Sequence, residues 1–243
     1  FQPFRARFAG GAAVAVADVA TCVRGGTVSA AVGDGRGEIV VASGAGMKAT
    51  VCVYDLSGSG PRLLDTISPF GGSTAVGSLA VSASRFDGDA VDDIVVAAGS
   101  GGGSMLQVYS GRIDDRIDQM LVAASPFGNT LKKNGPLSAV GLDLDGNGIV
   151  DQIAAGQGLG GNLGTIRQIS TTGAVLSQRV LPASPLRVAV MNNRPLSTPA
   201  AGRLLAISAA NGEGTISAKQ AAFAAIATVL GAVNADGTRW FRR

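Results

Sequence analysis

Short apolar runs bounded by glycine, aspartate and serine recur along the first 200 residues and predict β-strands. The clearest runs, at residues 38–42, 93–97 and 151–155, place an isoleucine early, and Ile39, Ile94 and Ile153 lie 55 and 59 residues apart. Valine and isoleucine suit a pleated, half-buried surface, and short runs between turn residues are typical of strands. Each run precedes a glycine-rich segment, which predicts a turn.

Two further markers keep the same order and spacing, which indicates an internal repeat. Ser-Pro-Phe at residues 68–70 returns at 125–127 and, as Ser-Pro-Leu, at 184–186, and Gln-Pro-Phe at residues 2–4 fits the same place. The third marker follows each isoleucine by about 15 residues and contains Tyr54, Tyr109 and Ile169. We predict one repeat domain over residues 1–243, with repeats near 1–68, 69–125, 126–184 and 185–243.

About four strands fit into each repeat, near residues 13–17, 39–42, 51–54 and 63–67 in the first copy. Four short strands repeated in this way predict an all-β fold, a β-propeller of about four four-stranded blades with a degenerate fourth blade. A β-sandwich or a solenoid is the alternative. In the fourth copy, residues 204–207 are the expected central strand, and residues 220–233 fit either a strand or an alanine-rich helix.

Residues 143–151 (DLDGNGIVD) form the strongest chemical motif. Side-chain oxygens stand at positions 1, 3, 5 and 9, from Asp143, Asp145, Asn147 and Asp151, and position 7 offers the carbonyl of Ile149. Alternate oxygen ligands with glycines between them favour a hard cation, and Ca²⁺ is preferred to Mg²⁺ because the loop offers many flexible oxygens. An EF-hand is excluded, because position 12 is not glutamate and strands are predicted on both sides.

A weaker copy of the motif precedes the second isoleucine. Asp87, Asp89 and Asp93 keep positions 3, 5 and 9 as predicted metal ligands, but Arg85 stands at position 1. The first repeat keeps only the tail at residues 34–38, with Asp18 as a candidate for position 1. The alternative to a cation site in each case is an aspartate-rich turn between two strands.

The loop at 143–151, its flanking strands and the Phe-Gly pairs at 70–71 and 127–128 resemble the FG-GAP or VCBS-type repeat. That resemblance implies the calcium-bound propeller of integrin alpha chains and many bacterial surface proteins. In that family calcium is structural, and the domains serve adhesion, ligand binding or scaffolding. Arg85 and the interruption after Asp18 depart from the family pattern. Integrin propellers have seven repeats, so four repeats either close a small ring or are completed by another chain.

Composition excludes several function classes. The chain has no histidine, which excludes a Ser-His-Asp triad and any histidine-ligated metal. The net charge is only +3 and the basic residues are spread along the chain, which argues against a nucleic-acid partner. The longest apolar run, 221–233, is too short for a membrane span. Cys22 and Cys52 fit either one disulfide or two buried thiols.

These observations predict a calcium-stabilised, non-enzymatic module, secreted or at the cell surface, whose partner is a protein or carbohydrate ligand. One alternative is a subunit of a larger extracellular assembly, a filament or surface layer built from copies of itself. The other is a polysaccharide-active enzyme on a propeller scaffold. The GxGxxG pattern at residues 156–161 is interpreted as a turn between strands, because no helix is predicted after it.

Overall fold

The described part of the chain is all-β, as the sequence predicts. The computed structural model describes residues 1–5, 7–19, 33, 35–56, 58–74, 77–99, 101–111, 119–128, 137–158, 164–181, 186–191 and 203–208. Within these ranges a 3-10 turn is formed by Pro69–Gly72, and no helix is long and apolar enough to cross a membrane. The strands are β1 Ala12–Ala17, β2 Glu38–Ser43, β3 Val51–Asp55, β4 Arg62–Ile67, β5 Ala80–Ser84, β6 Asp93–Ala97, β7 Leu106–Tyr109, β8 Met120–Ala124, β9 Leu137–Leu142, β10 Gln152–Gly158, β11 Gly164–Ser170, β12 Val175–Leu181, β13 Leu186–Met191 and β14 Arg203–Ser208.

Three four-stranded antiparallel sheets follow one another along the chain. Strands β1–β4, β5–β8 and β9–β12 each form a sheet in which neighbours in sequence are neighbours in space. A two-stranded sheet of β13 and β14 comes next, so the expected strand near residues 204–207 is confirmed. Four strands per repeat are therefore confirmed in three copies. The propeller as a closed ring stays a prediction, and residues 209–243, including the segment 220–233, lie outside the described residues.

The sequence markers occupy equivalent points in the three sheets. Each marker isoleucine faces the third marker on the next strand, in the pairs Ile39–Tyr54, Ile94–Tyr109 and Ile153–Ile169. A β-bulge interrupts the pairing of the third and fourth strands at the same place each time, at Val53/Tyr54, Val108/Tyr109 and Gln168/Ile169. The repeated sequence markers therefore correspond to the same backbone geometry in each sheet.

Consecutive sheets pack face to face through small and branched apolar side chains. One buried cluster joins the first sheet to the second, with Val40 and Val51 on one side and Ile94 and Val96 on the other. A second cluster joins the second and third sheets. The first strand of each sheet contacts the first strand of the next, in the pairs β1–β5, β5–β9 and β9–β13.

Equivalent backbone hydrogen bonds join consecutive sheets at the two junctions. The Leu79 N–H donates to the Ser43 carbonyl over 3.0 Å, and the Leu137 N–H donates to the Ala98 carbonyl over 3.1 Å. Leu79 lies just before β5 and Leu137 is the first residue of β9, and each acceptor lies at or just after the end of the second strand in the preceding sheet. The second sheet is thus bonded to the first in the same way as the third sheet is bonded to the second.

The Pro-Phe segments link each sheet to the one that follows it. The N–H of Phe70, a residue with a left-handed backbone (φ 54°), donates to Gln107 Oε1 on the third strand of the next sheet over 2.8 Å. At the following junction Arg167, equivalent to Gln107, lies over the Phe127 ring at 5.0 Å and donates to the Pro126 carbonyl. The Ser-Pro-Phe marker is therefore a connector between sheets.

The N-terminal segment takes the same place on the first sheet. The Tyr54 hydroxyl donates to the Pro3 carbonyl over 2.9 Å, and the Phe1 and Tyr54 rings meet edge to face at 4.9 Å. Phe4 packs on the cluster formed by Val41, Cys52 and Tyr54. The first Pro-Phe motif thus packs on its sheet as the later Pro-Phe connectors pack on theirs.

Cys52 is a buried free thiol in this arrangement. Its Sγ lies 3.9 Å from the Thr66 hydroxyl, and burial raises the pKa of the thiol, with hydrogen bonding to Thr66 acting in the opposite direction. The sequence left open one disulfide or two buried thiols. Cys52 is a buried thiol, and Cys22 lies outside the described residues.

Candidate metal centre

The loop of residues 143–151 connects β9 to β10 at one edge of the third sheet. Two antiparallel strands must be joined there, and the backbone reverses through left-handed conformations at Gly146 (φ 80°) and Gly148 (φ 92°). Glycine adopts such angles without steric cost. Most of the loop is exposed, while Val150 is buried beneath it.

The carboxylates at the two ends of the loop fold inward onto backbone N–H groups. Asp143 accepts hydrogen bonds from Gly146 at 2.7 Å and from Gly148 at 2.8 Å. Asp151 accepts one from the Leu144 N–H at 2.7 Å. These bonds bring positions 1 and 9 of the motif close together.

The middle of the loop is a pair of successive Asx turns. Asp145 Oδ1 accepts from the Asn147 N–H at 3.0 Å, and Asn147 Oδ1 accepts from the Ile149 N–H at 2.7 Å. The Asn147 side-chain amide also donates to Asp145 Oδ2 over 3.0 Å. Such turns are the usual local role of aspartate and asparagine.

Three carboxylates converge in this loop. Asp143, Asp145 and Asp151 each place an oxygen within 4.8 Å of the other two, and no other trio of acidic or cysteine side chains among the described residues does so. Among the described residues, no arginine or lysine nitrogen lies within 4.0 Å of these three carboxylates. Three like charges at this distance repel one another, so a bound cation would stabilise the arrangement.

The donor set fits a hard metal ion. A carboxylate has about four lone-pair sites. The loop's own hydrogen bonds occupy two on Asp143, two on Asp145 and one on Asp151. Each carboxylate therefore keeps free lone pairs. An all-oxygen set suits Ca²⁺, Mg²⁺ or Mn²⁺ better than a soft transition metal.

The second loop has the same successive Asx turns as the third loop but a different arrangement of charged side chains. Asp87 Oδ1 accepts from the Asp89 N–H at 3.1 Å, and Asp89 Oδ1 accepts from the Val91 N–H at 3.1 Å. Arg85, at position 1, forms an ion pair of 3.4 Å with Asp92. Among these described side chains, the carboxylates of Asp87, Asp89 and Asp93 do not reach the mutual approach seen in the third loop. Metal binding by the second loop stays a prediction without that geometric support.

Asp93 is a buried structural carboxylate. Its two oxygens accept hydrogen bonds from the Phe86 N–H at 2.6 Å and the Gly111 N–H at 3.0 Å. Burial raises the pKa of Asp93 to about 6. The two hydrogen bonds oppose that shift, while the charges of Asp87 and Asp89 add to it. A cation in this loop would oppose the effect of those two charges.

The acid at position 9 closes the loop in all three repeats, a role that the sequence did not reveal. It accepts a hydrogen bond from the N–H at position 2 in the pairs Val19–Glu38 at 3.0 Å, Phe86–Asp93 at 2.6 Å and Leu144–Asp151 at 2.7 Å. The signal available in the sequence was an acid one or two residues before each marker isoleucine. Part of the repeated acidic pattern therefore serves loop closure, with or without a metal.

Neighbouring loops are joined to one another. The Asp18 carbonyl accepts from the Asp92 N–H at 2.9 Å, and the Arg85 carbonyl accepts from the Val150 N–H at 2.7 Å. The Asp92 carboxylate also accepts from the Asp18 N–H at 3.0 Å. Each bond connects position 1 of one repeat to position 8 of the next, so the described parts of neighbouring acidic loops lie side by side.

The first loop is described only in part. The Asp18 carboxylate accepts a hydrogen bond from the Gly35 N–H at 3.1 Å, which fits its expected place at position 1. Residues 20–32 and 34 lie outside the described residues, so the predicted tail is placed only from residue 35 onward.

The glycine-rich stretch after Ile153 is partly strand. Residues 156–158 extend β10, which pairs antiparallel with β9 and β11, so the predicted turn begins later than expected. An antiparallel partner on each side does not provide the parallel βαβ unit that a dinucleotide site needs. Residues 159–163 lie outside the described residues.

No protein-family model matches the chain, and comparisons with curated proteins and with solved structures also found no match. The resemblance to FG-GAP repeats therefore rests on the residues of the loop and its flanking strands.

Proposed function

We propose that the protein is a calcium-stabilised, non-enzymatic repeat module, secreted or displayed at the cell surface, that binds a protein or carbohydrate ligand. The observation that carries this proposal is the convergence of Asp143, Asp145 and Asp151 in an all-oxygen loop between two strands. The ion has a structural role here, because the loop lies on the edge of a stack of sheets and contacts its neighbour through Arg85.

Calcium fits the loop better than magnesium. Three carboxylates, the Asn147 amide oxygen and the Ile149 carbonyl offer five ligand groups, and aspartate can bind through one oxygen or two. Calcium accepts six to eight oxygens in flexible geometry, whereas magnesium demands a near-ideal octahedron and keeps several waters. An exposed loop with two glycines supplies flexibility and not a rigid octahedral cage.

Removal of calcium is expected to destabilise the fold. For a dissociation constant of about 0.1 mM, 1 mM calcium stabilises by about 1.4 kcal/mol per occupied site. For a domain of this size we expect EDTA to lower Tm by about 3–6 °C relative to 1 mM calcium. Thermal unfolding followed by circular dichroism measures this difference.

The Asp145→Ala variant should lose most of that calcium response, because Asp145 is one of the three converging carboxylates. Asp65→Ala is the matched control, since Asp65 lies on β4, away from the loop, and its variant should keep the full response. Equal Tm values with and without EDTA in the wild-type protein would rule out the metal role.

The enzymatic alternative stays a prediction, and the described residues favour a structural role for the acidic loop over a catalytic one. A polysaccharide hydrolase needs a carboxylate pair facing a substrate cleft. The cavity of about 230 Å³ at the N-terminal segment is lined by Phe1, Pro3, Phe4, Arg5 and Phe8 with their neighbours and has no carboxylate. The converging carboxylates of the third loop are instead largely exposed on a turn.

A further inference from the structure

One face of the first sheet is apolar and incompletely covered. Cross-strand pairing places two rows of side chains on it, which we call the outer face: Val16, Ile39, Tyr54 and Leu63 in one row, and Val14, Val41, Cys52 and Thr66 in the other. The N-terminal segment covers the middle of this face, over Tyr54 and Cys52. Its margins are open, with Val14 59% exposed, Val16 62% exposed and Leu63 51% exposed.

The equivalent face is covered in the next two sheets. Val81 and Ala83, the counterparts of Val14 and Val16 by register, pack against the cluster shared with the first sheet. Ala139, the counterpart of Val14 in the third sheet, is 7% exposed and packs against the second sheet. At both junctions this face receives the preceding sheet.

A Pro-Phe connector already lies on the outer face of the first sheet. At the other junctions the Pro-Phe connector follows directly from the last strand of the preceding sheet, after β4 and after β8. On the outer face the connector is Pro3 and Phe4, and it occupies the same place. The uncovered margins are apolar and lie at the register positions where the next two sheets receive a preceding sheet.

Within the chain, the described strands of the last sheet do not fill this position. β13 packs against β9 and β10, and among the described strands β1 packs against β2 and β5 but not substantially against β13 or β14. Charge opposes self-association only weakly, because 15% of the residues are charged and the net charge is +3.

We propose that the outer face of the first sheet binds the last sheet of a second copy of this chain, head to tail. The interface continues the sheet-to-sheet packing already used inside the chain. It rests on that packing and not on the proposed calcium role. A head-to-tail contact closes a ring where the rotation allows it and forms a filament where it does not.

The test is the mass of the particle in solution, measured by light scattering after size exclusion in 1 mM calcium and again in EDTA. We expect wild-type protein at about 100 μM to have at least twice the mass of one chain, as for a dissociation constant in the micromolar range. The double variant Val14→Lys/Val16→Lys should return to the mass of one chain at the same concentration. Both valines are exposed, so the lysines need not be buried in the single chain.

The matched control is Val175→Lys/Val180→Lys on β12, where both valines are 50% exposed. This variant should keep the wild-type mass. At a dilution at which both variants are monomeric, circular dichroism should show equal Tm values for them, because association would itself raise Tm. Leu63→Lys, at the other margin of the outer face, gives an independent second variant that should weaken association at least tenfold. A wild-type chain that is monomeric, or a control variant that dissociates equally, would overturn the proposal.

Discussion

The Asp93→Ala variant is expected to lower the free energy of unfolding by about 3–5 kcal/mol, because each buried N–H left without a partner costs about 1–3 kcal/mol. The side chain is fully buried, and its truncation leaves the buried Gly111 N–H and the part-buried Phe86 N–H without their acceptor. The loop before β6 and the turn after β7 lose their shared anchor. Urea unfolding of the two proteins at pH 7 measures the difference, and a loss below about 0.5 kcal/mol would contradict the anchoring role.

The Asp93→Asn variant removes the carboxylate charge but keeps a side chain of similar size, so the same unfolding experiment separates the two effects on stability. The pKa of Asp93 is about 6 in the folded protein against an ordinary value of 3.8, so the folded state binds the proton more tightly. Stability in EDTA should therefore decrease as pH rises through the window between these two values. The asparagine variant should lack that decrease while being less destabilised than the alanine variant, since it keeps one acceptor oxygen. An unchanged pH slope in the asparagine variant would contradict the assignment.

The Gly99→Ala variant is expected to cost about 3 kcal/mol or more, because overpacking against rigid neighbours is destabilising. A Cβ at Gly99 would lie under 3.0 Å from the backbone N, C and O of Ser78, and backbone atoms cannot move aside as a flexible side chain can. Gly44 stands at the same position after the second strand of the first sheet and is equally close to the Gly10 backbone. We therefore expect a large loss of Tm or of soluble protein.

The Gly60→Ala variant controls for the general effect of removing a glycine. No heavy atom lies within 4 Å of a Cβ placed at Gly60, which is exposed. Its stability should stay within about 0.5 kcal/mol of wild type or rise slightly, because alanine restricts the unfolded chain. Near-equal stability of Gly99→Ala and Gly60→Ala would show that the close approach at Gly99 is not required.

The strands and their repetition could be predicted because they depend on local patterns. Alternating small and branched apolar residues between turn residues specify strands, and three markers at near-equal spacing specify a repeat. The structure explains the markers as cross-strand partners, such as Ile39 with Tyr54, and as connectors, such as Pro69 and Phe70. The third-loop carboxylates were predictable for the same reason, since their spacing alone directs alternate side chains to one side.

Other features depend on contacts that a single sequence does not display. An acid before a strand looks the same whether it binds a cation or accepts a backbone N–H, and Asp93 and Glu38 do the latter. The sequence showed that Arg85 replaces an acid but not that it pairs with Asp92. Closure of the ring is also invisible in the sequence, because it depends on which surface meets the exposed valines of β1.

A crystal structure of the wild-type protein grown with about 5 mM calcium tests the central claim most directly, since that concentration exceeds the dissociation constants typical of extracellular calcium sites. We expect one strong peak in the loop of residues 143–151, about 2.3–2.6 Å from oxygens of Asp143, Asp145, Asn147, Ile149 and Asp151. A loop of the same shape that holds only water at that calcium concentration would contradict it.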